Sequence, residues 1–252
     1  MIDTKKDYNY PKYHELPPSV RILYSMILIV MGIGYLFALI QIWVTHAGYD
    51  GKPGLSVEDI KIAYAGNPAT SRLETALKGP MNGMVPADKR AKIIAWARTG
   101  GDPKEFETTV KPIMEGTCYL CHNGSNPHIP NLTKFSVLKK LVARDTGPSI
   151  DTLVRISHIH LFGLTFIFSI MGLIFAHTQM TNKPLKCIVM AIPFLAIIMD
   201  IASWYLTKVS TGFAYTVIIG GALMGMAFAF QWLVSFYQIW FGKKLIEAKD
   251  TP

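Results

Sequence analysis

Cysteine is scarce in this chain, with three residues among 252, and two of them lie within four positions at Cys118 and Cys121. A zinc ribbon is excluded, because it would need a second Cys/His pair and none exists in that segment. No nucleotide-binding glycine loop, nucleophile-elbow sequence or internal repeat occurs. The common signatures of nucleotide hydrolases, α/β-hydrolases and repeat proteins are therefore missing.

Charged residues are also few, at 17% of the chain, whereas half of the residues are hydrophobic and the mean hydropathy is +0.29. That mixture indicates long apolar segments beside a polar domain. The formal net charge is +8. It requires no nucleic-acid partner, because much of it lies in the chain ends, where basic residues would meet anionic lipid.

Four apolar stretches predict membrane-spanning helices and an all-α fold. Each is long enough to cross a ~30 Å hydrocarbon core at about 1.5 Å per residue. The predicted spans are residues 19–45, 156–177, 187–206 and 213–241. Gly221 and Gly225 form a G-x-x-x-G step in the fourth, which predicts close helix packing.

Basic residues predict the orientation of these spans. Lysines are frequent in the tails, residues 1–18 and 242–252, and in the loop after the second span. The positive-inside rule then places both termini in the cytoplasm and residues 46–155 outside. We expect a bacterial inner-membrane protein with a periplasmic domain between its first two helices. The polar N-terminus lacks a cleavage site, so we expect an uncleaved anchor.

The motif Cys118-Tyr-Leu-Cys121-His122 has the C-x-x-C-H spacing of covalent haem c attachment. Two thiols would add to the two haem vinyl groups, and His122 would follow as the proximal iron ligand. A disulfide or thioredoxin-like pair would explain the cysteines but not the histidine. The motif therefore favours one covalent haem c, which is assembled outside the bacterial cytoplasm.

The segment around this motif resembles c-type cytochromes, with its two halves exchanged. Residues 104–122 resemble the first helix leading into the haem motif, and Pro130-Asn131-Leu132 resembles the Pro-x-Leu that follows it. Residues 71–101 resemble the second half, yet they come first. The resemblance implies a circularly permuted cytochrome c domain over about residues 55–135, in which the Pro130 carbonyl accepts a hydrogen bond from the proximal imidazole.

The same resemblance implies a methionine as distal ligand. Met81 is our first choice, because its distance to Trp96 is nearer to the family pattern, and Met84 is the second. The proline that usually follows this methionine is missing. Packing is the alternative role for both methionines. His128 lies six residues beyond the proximal ligand, and we do not expect it to reach the opposite haem face.

Ionisable residues near the outer ends of the spans form a second candidate site. They are His46, His158, His160 and Asp200. Ionisable groups inside spans are costly and indicate function. They could bind a metal ion, form a quinol pocket or have only structural roles, and the sequence leaves all three open.

These features predict a membrane-anchored monohaem c-type cytochrome that carries single electrons in a bacterial respiratory chain, similar to small proteobacterial membrane cytochromes. Its expected partners are membrane or periplasmic redox proteins. The alternatives are a quinol-oxidising enzyme that uses His158, His160 and Asp200, or an accessory subunit of a larger membrane oxidoreductase.

Overall fold

The computed structural model describes residues 10–127 and 129–247, with side chains as far as residue 242. This part of the chain is all-α apart from one isolated β-bridge. The basic residues Lys5, Lys6 and Lys249 lie outside it, as do the side chains of Lys243 and Lys244. The contact pattern divides the chain into two compact units: residues 1–39, 155–202 and 216–252 form the first, and residues 40–154 and 203–215 form the second.

Four helices are long and apolar enough to cross a membrane by length and composition. They are α1 (Pro18–His46), α8 (Ile150–Ala176), α9 (Lys183–Val209) and α10 (Ala214–Glu247). Their number agrees with the four predicted spans. α8 begins at residue 150 rather than 156, because Ser149 accepts a hydrogen bond from the Thr152 backbone N–H and starts the helix there.

Smaller helices lie between α1 and α8. They are α2 (Val57–Ala65), α3 (Arg72–Lys78), α4 (Ala87–Arg98), α5 (Pro103–Glu105), α6 (Lys111–Glu115) and α7 (Phe135–Val142). A π-helical turn, Phe106–Val110, joins α5 to α6. Pro112 explains this wider turn, because it lacks the N–H that would bond to the Thr108 carbonyl.

In the first unit, α8, α9 and α10 pack around large apolar side chains that are almost fully buried, among them Phe168, Phe175 and Ile197. Tyr35 of α1 stacks on Phe228 with ring centroids 4.3 Å apart. Only one glycine of the predicted G-x-x-x-G step is closely packed. A Cβ on Gly225 would lie 3.0 Å from the Tyr35 hydroxyl, whereas one on Gly221 would meet no described atom within 4 Å.

A proline in α9 is compensated by a side chain of α10. Pro193 cannot donate to the carbonyl four residues earlier, which belongs to Val189. Gln231, fully buried in α10, donates from Nε2 to that carbonyl at 2.9 Å. This bond supplies a donor to the freed carbonyl where no water would solvate it, and α9 continues through the proline.

In the second unit, α3, α4, α6 and α7 share one hydrophobic core. Ile93 and Trp96 of α4 are fully buried in it, beside Phe106 and Met114 from the segment before the motif. The Trp96 indole donates to the Asp102 carbonyl at 2.9 Å, so the buried ring has no unsatisfied donor. The segments before and after residue 102 therefore share one core.

A buried carboxylate links α3 to α4. Glu74, with a side chain only 1% exposed, accepts from Arg98 Nη2 at 2.6 Å and pairs with Lys78 at 2.8 Å. Hydrogen bonding from Arg98, with Lys78, lowers the pKa of Glu74 although burial acts in the opposite direction.

The ammonium of Lys208, near the end of α9, joins the end of α2, and the loop that follows it, to the loop before α8. It donates to the backbone carbonyls of Tyr64, Thr146 and Pro148 at 3.2, 2.7 and 2.9 Å. The same two loops touch at Gly66 and Gly147. A Cβ on Gly66 would lie 2.4 Å from the Gly147 nitrogen. We call this group of residues the Lys208 joint.

Candidate functional site

The cysteines of the motif lie on one short turn. A 3₁₀ turn covers Cys118–Leu120, and the N–H groups of Cys121 and His122 both donate to the Cys118 carbonyl, at 3.2 and 2.9 Å. Neither thiol is in a disulfide; Cys118 is half-buried against the hydrophobic core, and Cys121 is exposed. Two accessible thiols therefore lie one turn apart, directly before the histidine.

The imidazole of His122 has a defined tautomer. Its Nδ1 lies 2.9 Å from the Pro130 carbonyl oxygen. A carbonyl can only accept, so Nδ1 carries a proton, and in the neutral ring the lone pair is then on Nε2. Nε2 makes no hydrogen bond in the described part of the chain, and the residue is half-buried. The predicted pairing of His122 with Pro130 is thus present in the geometry, with the second nitrogen open to a metal.

The loop that carries Pro130 is anchored on both sides. The Leu132 N–H donates to the His122 carbonyl at 2.9 Å, and the Leu132 side chain is buried in the core. Asn131 accepts from the Thr133 N–H and hydroxyl at 3.1 and 2.6 Å. His128, which lies in this loop, is outside the described residues.

The two candidate methionines differ in their surroundings. Met81 is half-buried and packs against the core cluster that Cys118 and Tyr119 also border. Met84 is 72% exposed. A distal ligand must be held against the cofactor by surrounding protein, so these surroundings favour Met81 over Met84.

Arg90 stabilises the methionine segment, a role that sequence reasoning missed. Its Nη1 donates to the backbone carbonyls of Asn82 and Val85, on either side of Met84. Nothing in the sequence distinguishes Arg90 from Lys89 and Lys92, which share the exposed face of α4.

The donor set fits a covalent haem c. The set consists of two free thiols, the Nε2 of His122 and a thioether; Cys118 and Met81 border the hydrophobic core, whose apolar side chains would contact a porphyrin. Burial, with the nearby Glu115 charge, raises the pKa of Tyr119 between the cysteines, so its phenol stays neutral at physiological pH.

The four predicted residues of the second site do not form a metal-binding group. His158 is exposed and contacts Phe162 at 5.1 Å, and the Nδ1 of His160 donates to the Ile156 carbonyl at 2.9 Å. Asp200 is 7% exposed, and a Cβ added to Gly220 would lie 3.0 Å from the Cβ of Asp200. His46 lies near the rings of Tyr49 and Tyr64. Throughout the described residues, no three His, Cys, Asp or Glu side chains gather to hold a metal ion.

These observations define an all-α membrane protein with four candidate spans and a small helical region between the first two. Residues 147–246 match the model of a protein family, Aq_1264_TM, which is described as a transmembrane helical domain. The match covers α8 to α10, less than half of the chain, and does not include the C-x-x-C-H motif. No curated protein and no solved structure matched the chain.

Proposed function

We propose that this protein is a membrane-anchored monohaem c-type cytochrome that passes single electrons between redox partners of a bacterial respiratory chain. In this proposal the second unit lies in the periplasm, and both termini lie in the cytoplasm. Cys118 and Cys121 attach the haem, while His122 and Met81 bind its iron. The expected partners are membrane or periplasmic redox proteins.

One observation carries the proposal: the His122 ring is held in the tautomer that a haem ligand needs, immediately after two free thiols. His160 also donates from Nδ1 to a backbone carbonyl, so the distinguishing feature of His122 is its place directly after two free thiols. The bond to Pro130 would also make Nε2 more basic and hold the ring in one orientation.

The residues of the chain would act by position rather than by proton or group transfer. A bound haem would supply a one-electron couple at its iron. His122 and Met81 would both hold its iron, so the expected chemistry is outer-sphere transfer of one electron rather than binding of oxygen or peroxide. The buried side chains around Trp96 would keep water from one side of the group, and a low local dielectric would help to set its potential.

The optical spectrum of the purified full chain tests the proposal. We expect one haem per chain, a c-type pyridine haemochrome, and a thioether–iron band in the oxidised protein. His122→Ala should remove the low-spin spectrum, and Cys118→Ser with Cys121→Ser should abolish covalent attachment. A chain that carries no covalent haem after expression with a haem c assembly system would contradict the proposal.

Replacement of Met81 tests the distal ligand separately. Met81→Ala should abolish the thioether band and lower the midpoint potential, whereas Met84→Ala should retain both. The opposite result would assign the ligand to Met84. If neither variant loses the thioether band, both assignments are refuted, while the proposed covalent attachment of the haem is unaffected.

A second candidate is a subunit of a larger membrane oxidoreductase, which the surface of α1 favours. Only 6% of the most apolar window of α1 is buried, against 28–33% for the other three spans. Lipid or another subunit would cover the rest. Purification in mild detergent distinguishes the two: a monomer that accepts electrons from quinol favours the quinol-oxidising alternative, and co-purifying redox subunits favour the complex.

A further inference from the structure

A polar cleft lies beside the loop that follows α1. It has a volume of about 440 Å³ and is lined by Asp50, Gly51, Lys78, Asn82 and Arg90. A second hollow shares three of these residues and extends the cleft to Ala47, the residue after the end of α1, and to Lys52. The whole cleft belongs to the second unit.

The charge of this cleft is positive. Lys52, Lys78 and Arg90 line it, with Asp50 as its one carboxylate. The Asp50 oxygens accept from the Lys52 N–H and the Ser56 hydroxyl, at 2.8 and 3.3 Å. Lys78 also pairs with Glu74, but Glu74 pairs with Arg98 as well. These three residues together therefore keep one positive charge.

The cleft also offers more donors than acceptors. Both hydrogen bonds of Arg90 to carbonyls use Nη1, so Nε and Nη2 make none in the described part of the chain. The carbonyl bonds fix the plane of the guanidinium, and a fixed guanidinium binds oxyanions well because little side-chain entropy remains to be lost. Two lysine ammonium groups and the exposed Asn82 amide complete a set suited to an oxygen-rich anion.

We propose that this cleft binds a phosphate group, supplied in the membrane by the headgroup of an anionic phospholipid. Its position supports this source. Ala47 and Gly48 follow a predicted span directly, so the cleft would lie at the depth of lipid headgroups. Inorganic phosphate has the same chemistry and is the other possible source.

Native mass spectrometry of the full chain in mild detergent tests the proposal, with phosphatidylglycerol and phosphatidylcholine as probes. Wild type and Lys92→Gln, a control on the exposed face of α4, should retain phosphatidylglycerol. Arg90→Gln and, separately, Lys78→Gln should bind it about tenfold or more weakly, because each loses a charge-assisted hydrogen bond. Equal retention of phosphatidylcholine by wild type, or no difference among the variants, would overturn the proposal.

Competition distinguishes the two sources of phosphate. Displacement of phosphatidylglycerol by inorganic phosphate, but not by chloride at equal ionic strength, would show that the phosphate group alone is recognised. Retention in the presence of phosphate would assign the site to the lipid. If Arg90→Gln instead shifts a haem midpoint potential and leaves lipid binding unchanged, the cleft serves the carboxylates of a haem and the lipid proposal is wrong.

Discussion

At the residue scale, the buried carboxylate of Glu74 gives the clearest dependence on pH. Its pKa is lowered in the folded protein, so its contribution to stability is fully present above the unfolded pKa of about 4.3 and is lost as the pH falls through the folded pKa. Glu74→Gln should destabilise the protein at pH 7 by about 1–3 kcal/mol, and the difference should shrink below about pH 4.

Thermal unfolding in detergent, followed by circular dichroism at several pH values, measures this difference. Glu107→Gln is the matched control, because Glu107 pairs with Lys111 at the same i,i+4 spacing as Glu74 with Lys78 but is 59% exposed. It should change stability little at any pH. A loss of stability in Glu74→Gln that does not change with pH would show that the shape of the side chain, rather than its charge, matters at position 74.

Gly66 and Gly51 provide a second comparison of single residues. Both have left-handed φ angles, +79° and +82°, so an alanine at either adds strain of about 1–2 kcal/mol. Only at Gly66 would the new Cβ also meet backbone, at 2.4 Å. Gly66→Ala should therefore be less stable than Gly51→Ala by about 1–3 kcal/mol in the same unfolding assay. Equal losses would mean that the two loops of the Lys208 joint separate readily.

At the element scale, a hydrogen bond from α10 to α9 compensates for Pro193. Gln231→Leu should destabilise the wild-type protein by about 0.6–1.7 kcal/mol, because the Val189 carbonyl loses its donor. In a Pro193→Ala background, alanine supplies the missing N–H within α9, and the same substitution should cost less. Unfolding of the four variants of this double-mutant cycle checks the coupling; additive effects would contradict it.

Sequence reasoning was most successful for the long helices. Long apolar runs predict α1, α8, α9 and α10 well, because hydrophobicity over 20 residues is a strong signal. The close approach at Gly220, next to the predicted glycine pair, could not be foreseen, because the rotation of a helix depends on its neighbours. The pairing of His122 with Pro130 was expected from the resemblance to c-type cytochromes. No sequence pattern predicts the bonds of Arg90 and Gln231 to backbone carbonyls.

At the scale of the whole molecule, orientation in the membrane is the property to test. In a Cys187→Ser background, single cysteines would replace Glu58 and Thr181, which are both exposed. The proposed topology expects an impermeant maleimide to label Glu58→Cys in cells with a permeabilised outer membrane, and Thr181→Cys only after the inner membrane is also opened. In the proposed cytochrome, the motif cysteines would be bound to haem and would not react with the maleimide. Labelling in the reverse order would invert the proposed topology.

The Lys208 joint has a consequence for the order of events during synthesis. Its three acceptors are made early, at Tyr64, Thr146 and Pro148, while the lysine that joins them follows Pro148 by 60 residues. At roughly 5–20 residues per second, the ribosome reaches Lys208 about 3–12 s after Pro148. Residues 57–142 can therefore form their core, and their backbone hydrogen bonds to residues 143–145, before Lys208 is made. The three hydrogen bonds of Lys208 are then added to a domain whose core is already complete.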